Sequence, residues 1–138
     1  MTDEEIERIA RGFLDRTLPK SEWTHGAHFA AALWMLTQHG DAALPQMRAA
    51  IAAYNEATGG ENTDTAGYHE TITAASLAIT RAHMAAHAGA PLRDQLASLL
   101  AGPCGRPDWI LSYWSKERLF SVEARRGWLG PDLQPLPE

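Results

Sequence analysis

Two histidine segments, Trp23-Thr24-His25-Gly26-Ala27-His28 and Tyr68-His69-Glu70-Thr71, are the parts of this sequence best equipped for chemistry. His25 and His28 stand three residues apart, so on a helix both imidazoles project from one face, one turn from each other. That spacing suits a shared divalent ion, which in a helical bundle takes imidazole or carboxylate groups from facing helices. His69 offers a further nitrogen. Three protein ligands with one position left to water make a catalytic site, because open coordination polarises a substrate or lowers the pKa of bound water. On this reading His25, His28 and His69 hold zinc, iron or manganese, and Glu70 moves a proton or orients a ligand for chemistry on a small polar molecule. The spacing lacks the flanking glutamate of the metalloprotease helix motif. The same residues also suit a metal-free pocket that binds a small molecule, or a local role in which each imidazole bonds loop carbonyls at a helix start.

Other polar residues lie close by in sequence. Tyr54, Asn55 and Tyr68 are expected to shape substrate recognition, with Asn62, Thr63, Asp64 and Thr65 in the loop between them. Helix termination and capping is the competing role for that loop. Thr73 and Ser76 can bond back to helix carbonyls. Arg118, in a group with Lys116, Arg125 and Arg126, can grip a carboxylate or phosphate through its planar fork. A solvated face neutralised by Glu117 and Glu123 is the commoner outcome for such a group. Trp23 and Trp109 are candidate pocket walls. Cys104 has no histidine beside it in sequence and makes a poor candidate nucleophile.

These side chains need helices to position them, and the periodicity supplies five. Thr2 followed by Glu5 is a capping-box signature, and Ile6, Ile9, Ala10, Phe13 and Leu14 then recur at helical spacing in a first helix expected to end near Pro19. Thr24 caps a second helix running to about Gly40. Its stretch from His25 to His39 carries no Asp, Glu, Lys or Arg, which predicts burial on most sides. Asp41 is expected to cap a third helix, which ends at Gly59-Gly60. A fourth starts near Tyr68 and runs to about His87, with an uncharged polar stripe of His69, Thr73, Ser76, Thr80, His83 and His87. A fifth has Pro91 in its first turn and stops at Gly102-Pro103. Beyond Pro103 the pattern predicts an irregular cap over residues 103–138, with one or two helical turns from Ser121 to Arg126 and an extended strap from Pro131 to Pro137. Strand signals are nearly absent, so the expected fold is all-α, a single-domain bundle over 1–138.

Composition narrows the function classes. A chain of 138 residues is long enough to bury a core without disulfide or metal. The formal charge of −5 argues against a general nucleic-acid partner, since phosphate binding draws on clustered Lys and Arg. No apolar run approaches the roughly 20 residues that cross a bilayer, so no membrane partner is expected. The acidic start lacks a secretory pattern and Cys104 is the only cysteine, which together point to a reducing cytoplasm. A small-molecule ligand is the expected partner, and the apolar second or fourth helix offers a face for a homodimer.

In combination, Trp23 to His28, Tyr54 to Gly59, Gly67 to Thr71 and Ser115 to Trp128 carry a resemblance. They read W-T-H-x-x-H, Y-N-x-A-x-G, G-Y-H-E-T and S-x-x-x-L-x-S-x-x-A-R-x-x-W, a combination similar to a family of small bacterial proteins, over about Leu18 to Pro137. That resemblance implies no particular reaction. A looser likeness to three-histidine metal-binding helical bundles, such as the DinB-like group, is an analogy of ligand type, with different spacing.

Overall fold

Every regular element in the computed structural model, which describes residues 1–137, is helical. Helix α1 (Asp3–Asp15) starts where the Thr2 hydroxyl accepts the Glu5 amide at 3.1 Å, as the capping signature predicts. It buries Ile6, Ile9, Ala10 and Phe13 along one stripe. The chain leaves it through Arg16, whose left-handed φ of 63° lets its amide reach the carbonyls of the last turn.

Helix α2 (His25–His39) is the centre of the bundle and packs against α1, α3, α4 and α5. Its lack of charge follows from that position. Ala27, Phe29, Ala30, Ala31, Ala32, Leu33, Met35 and Leu36 are all buried, and an ionised side chain in their place would lose its water without gaining a partner. Phe29 and Leu33 join Trp109, Trp114 and Leu119 in one core cluster, while Ala31 and Met35 join Phe13, Met47 and Tyr54 in another. Alanine recurs on α2 because neighbouring helices approach from several directions and leave little room for longer side chains.

Helix α3 (Ala43–Ala57) differs from expectation at its start. A 3-10 turn over Gly40–Ala42 intervenes, and Ala42 precedes the helix with no side-chain cap. Asp41 instead pairs with Arg81 at 2.8 Å, tying that turn to α4 (Glu70–Ala86). The start of α4 lies two residues beyond Tyr68, with the His69 side chain as its cap. The uncharged stripe of this helix now has a cause: Thr73, Ser76 and Thr80 donate to carbonyls four residues back at 2.9, 2.7 and 2.7 Å. Such bonds let hydroxyls be buried without an external partner. In α5 (Leu92–Ala101), Pro91 stands at the N-cap rather than inside the first turn.

The C-terminal segment wraps this five-helix base. It makes 3-10 turns at Pro103–Gly105 and Trp109–Ser112, then the short helices α6 (Lys116–Leu119) and α7 (Val122–Arg126), capped by Ser115 and Ser121. The tail returns over it as a strap. The Trp114 indole donates to the Leu129 carbonyl at 2.7 Å, and the Asp132 carboxylate accepts the Ser115 amide and hydroxyl at 2.7 Å each. Among the described residues, no helix is long and apolar enough to cross a membrane.

Gly67 sets the approach to α4. Its φ is +82°, and a β-carbon there would run into the Glu61 carbonyl oxygen and Asn62. Gly89 has a similar φ of +87° but open space around it. Gly89→Ala should therefore cost only the left-handed strain, about 1–2 kcal/mol, whereas Gly67→Ala should cost clearly more. Urea denaturation of the two variants checks this difference, and equal losses would count against the close approach at Gly67.

Candidate functional site

A cavity of about 560 Å³ opens between α2, α3, α4 and the C-terminal segment. Its floor and sides are apolar: Phe29 and Ala32 from α2, Met47 and Ile51 from α3, Ile72 and Leu77 from α4, and Trp109, Ile110, Leu111, Leu119 and Phe120 from the C-terminal segment. Its polar groups are few. His25 and His28 come from the first turn of α2, Thr73 and Ser76 from the start of α4, and Asp108 from the turn before Trp109. Volumes of roughly 300–1,000 Å³, mainly apolar with a few convergent polar groups, are typical of small-molecule sites.

The two histidines on α2 are oriented by backbone carbonyls. His28 donates through Nδ1 to the Thr24 carbonyl at 2.7 Å, and the face of its ring lies on Trp23, with centroids 4.0 Å apart. Trp23 in turn stacks on Phe13 at 4.4 Å, so the histidine is backed by two rings of the core. Crowding lowers the His28 pKa below its ordinary value, opposed in part by the Thr24 carbonyl and assisted by the neighbouring His25. His28 is nonetheless exposed as a residue while forming part of the cavity lining. His25 donates through Nε2 to the Cys104 carbonyl at 2.7 Å, which ties α2 to the segment after α5.

His69 takes a different place from the one expected for a metal ligand. Its Nδ1 accepts the Ile72 amide at 3.1 Å and its Nε2 donates to the Leu119 carbonyl at 2.7 Å. Both ring nitrogens are thus engaged with the backbone, and His69 does not line the cavity. Among the described residues, no three His, Cys, Asp or Glu side chains stand close enough to share an ion. The expected set of His25, His28 and His69 therefore does not fit a metal in this arrangement. Burial lowers the His69 pKa, which keeps the ring neutral and suited to accepting at one nitrogen and donating at the other.

Glu70, the expected proton carrier, is turned away from the histidine-lined cavity. Its carboxylate accepts two bonds from Arg48, at 2.9 and 2.7 Å, and one from the Tyr68 hydroxyl at 2.6 Å. Arg48 foremost, with Tyr68, holds its carboxyl below the usual range against the effect of burial. Burial and then the Glu70 bond push the Tyr68 phenol well up. A carboxylate held this way is a poor base at neutral pH. Arg48 was not anticipated, and its signal was modest: it is the only basic residue on an otherwise largely apolar α3.

The expected recognition residues are dispersed. Tyr54 is 1% exposed and donates to the Leu18 carbonyl at 2.8 Å, packed on Phe13 and Trp23. Asn55 donates to Asn62, whose side-chain oxygen also takes the Tyr68 amide at 3.0 Å, so this pair latches the loop before α4. Tyr68 borders a small surface cleft with Arg48, Asp64, Glu70, Arg125 and Arg126. Arg118 bonds the Gly130 carbonyl at 2.6 Å and holds the strap. Neither Glu117 nor Glu123 pairs with the basic group, of which only Arg126 has a carboxylate partner among the described residues. Arg126 clamps Asp64, and Arg125 bonds the carbonyls of Gly67 and Tyr68. Of the two expected tryptophan walls, Trp109 lines the cavity directly and Trp23 supports it through His28.

The chain matches no family model, no curated protein and no solved structure. The site itself must therefore carry the functional argument.

Glu70 and His69 make stability sensitive to acid. Both have folded pKa values below their unfolded ones, so each contribution is present above the unfolded value and is lost as pH falls through the folded value. The loss should begin below about 6.5 for His69 and below about 4.3 for Glu70. Glu70→Gln should cost about 2 kcal/mol at neutral pH by weakening the Arg48 clamp, and should flatten the acidic limb of stability below pH 5. Denaturant titrations across pH 3 to 8 check both; an unchanged acidic limb would reject the assignment to Glu70.

Proposed function

We propose that this protein binds a small, mainly apolar molecule, without metal, in the cavity between α2, α3, α4 and the C-terminal segment. The observation that carries this reading is the cavity itself: an apolar space of about 560 Å³ into which only a few polar side chains project. A concave, mainly apolar space of this size with a few polar groups is what small-molecule sites offer. Its surroundings also suit binding better than turnover. Glu70 is clamped outside the cavity, Cys104 is buried with its thiol pKa raised, and neither histidine on α2 has a carboxylate hydrogen-bonded to its ring.

The metal-dependent reading would need His69 to give up at least one backbone bond and turn toward α2, or other donors to complete the site. Elemental analysis after reconstitution with zinc, iron and manganese separates the two. Far less than one equivalent is expected; near one equivalent, lost in His28→Ala, would reinstate metal chemistry.

Ligand binding should raise stability in proportion to occupancy. A compound at a hundredfold excess over its Kd should add about 2.7 kcal/mol, visible as an upward shift in Tm when a library of small apolar compounds is screened. Ser76→Phe should partly fill the cavity and remove that shift while leaving a folded helical protein by circular dichroism. Shifts that survive this substitution would place binding elsewhere.

A further inference from the structure

The hydrogen positions around the cavity follow from its bonds. A carbonyl oxygen has no hydrogen to give, so the ring hydrogen of neutral His28 must sit on Nδ1, 2.7 Å from the Thr24 carbonyl, leaving Nε2 as a bare lone pair. By the same argument His25 carries its hydrogen on Nε2, toward the Cys104 carbonyl, and its Nδ1 is bare. Thr73 and Ser76 have given their hydrogens to the carbonyls of His69 and Ile72 and keep only oxygen lone pairs for a guest. Asp108 in its ionised form accepts only.

Donors are scarce on the same lining. The first-turn amides of Ala27 and Ile72 are taken by Thr24 and His69. Trp109 brings one indole N–H, and its ring also borders a neighbouring surface pocket. Among the described residues, no Lys or Arg lines the cavity. A carboxylate or phosphate placed there would face lone pairs and Asp108 with no Lys or Arg beside it.

Resting on the binding function proposed above, we infer that the occupant is an uncharged apolar molecule with a hydroxyl head, an alcohol or phenol, whose hydrogen goes to Nε2 of His28. A hydroxyl can meet the bare nitrogen as donor while still accepting one bond, so it suits a lining rich in side-chain acceptors. An ether of the same shape has no hydrogen to offer that nitrogen.

Calorimetric titration of the native protein with 2-naphthol, 2-methoxynaphthalene and 2-naphthoate, and with 1-decanol and decanoate as an aliphatic pair, tests the assignment at neutral pH. The hydroxyl compound should bind about tenfold more tightly than its methyl ether, the worth of one hydrogen bond, and the carboxylates should bind weakest. His28→Phe keeps a ring against Trp23 but has no acceptor; it should bring naphthol and its ether to equal affinity. Equal affinities of naphthol and ether in the native protein, or tightest binding by a carboxylate, would overturn the hydroxyl assignment while the cavity remains a binding site. Failure of all five compounds to bind would overturn the binding function and this inference with it. The native comparison needs no variant, so misfolding of His28→Phe would leave the question decided.

Discussion

The imidazole of His69, held between the Ile72 amide and the Leu119 carbonyl, is the interaction on which the rest of the arrangement depends. One ring starts α4 and anchors the segment that follows the five-helix base. Leu119 and Phe120, adjacent to that anchored carbonyl, form part of the cavity wall. Thr71 reinforces the same junction. It is fully buried, donates to the Gly127 carbonyl at 2.8 Å and accepts the Leu129 amide at 3.0 Å. Arg125 reaches back to the carbonyls of Gly67 and Tyr68. The start of α4 is thus a joint between two parts of the chain, and the cavity is the space that joint leaves between them. Buried polar groups that are fully satisfied fix one geometry, because every alternative leaves a donor or acceptor unpaired.

A second constraint is the segregation of charge. Glu70, Arg48, Asp64 and Arg126 are paired at the outer side of α4 around a shallow polar cleft. The opposite requirement holds at the cavity, where Asp108 is the one formally charged side chain among the described lining residues at neutral pH and it stands exposed. The first two turns of α4 serve both, with Glu70 held by Arg48 at the cleft and Thr73 and Ser76 lining the cavity. Ion pairs near water cost little to maintain, whereas the same charges lining the cavity would demand desolvation at each binding event.

Much of the fold was legible in the sequence because helices announce themselves through spacing. The stripe of Ile6, Ile9, Ala10 and Phe13, the Thr2 and Thr24 caps and the charge-free run from His25 to His39 correspond to observed features of α1 and α2. The start of α3 was less legible, because Asp41 is as suitable an ion-pair partner as a cap, and only the position of Arg81 on α4 decides between them. The candidate site was legible in part. His25 and His28 face one cavity because their spacing on α2 is local geometry. The place of His69 depends on Leu119, fifty positions away in sequence, and Glu70 depends on Arg48, twenty-two positions away. No periodicity encodes such pairings. A histidine able to bind metal has the same letter as one that caps a helix, and what separates them is whether both nitrogens already have partners.

Phe120 is 59% exposed although it belongs to the cavity wall, and its backbone follows directly on the carbonyl that His69 holds. A ring in that position can turn about its own side-chain bonds while the main chain beside it stays fixed. Rotamer changes of exposed side chains take picoseconds to nanoseconds, far faster than the microseconds to milliseconds of helix or domain displacement. A change of the Phe120 rotamer would reshape this part of the cavity wall without parting of the bundle. Arrival of an occupant would be governed by diffusion and orientation, and the lifetime of the complex by the contacts made inside.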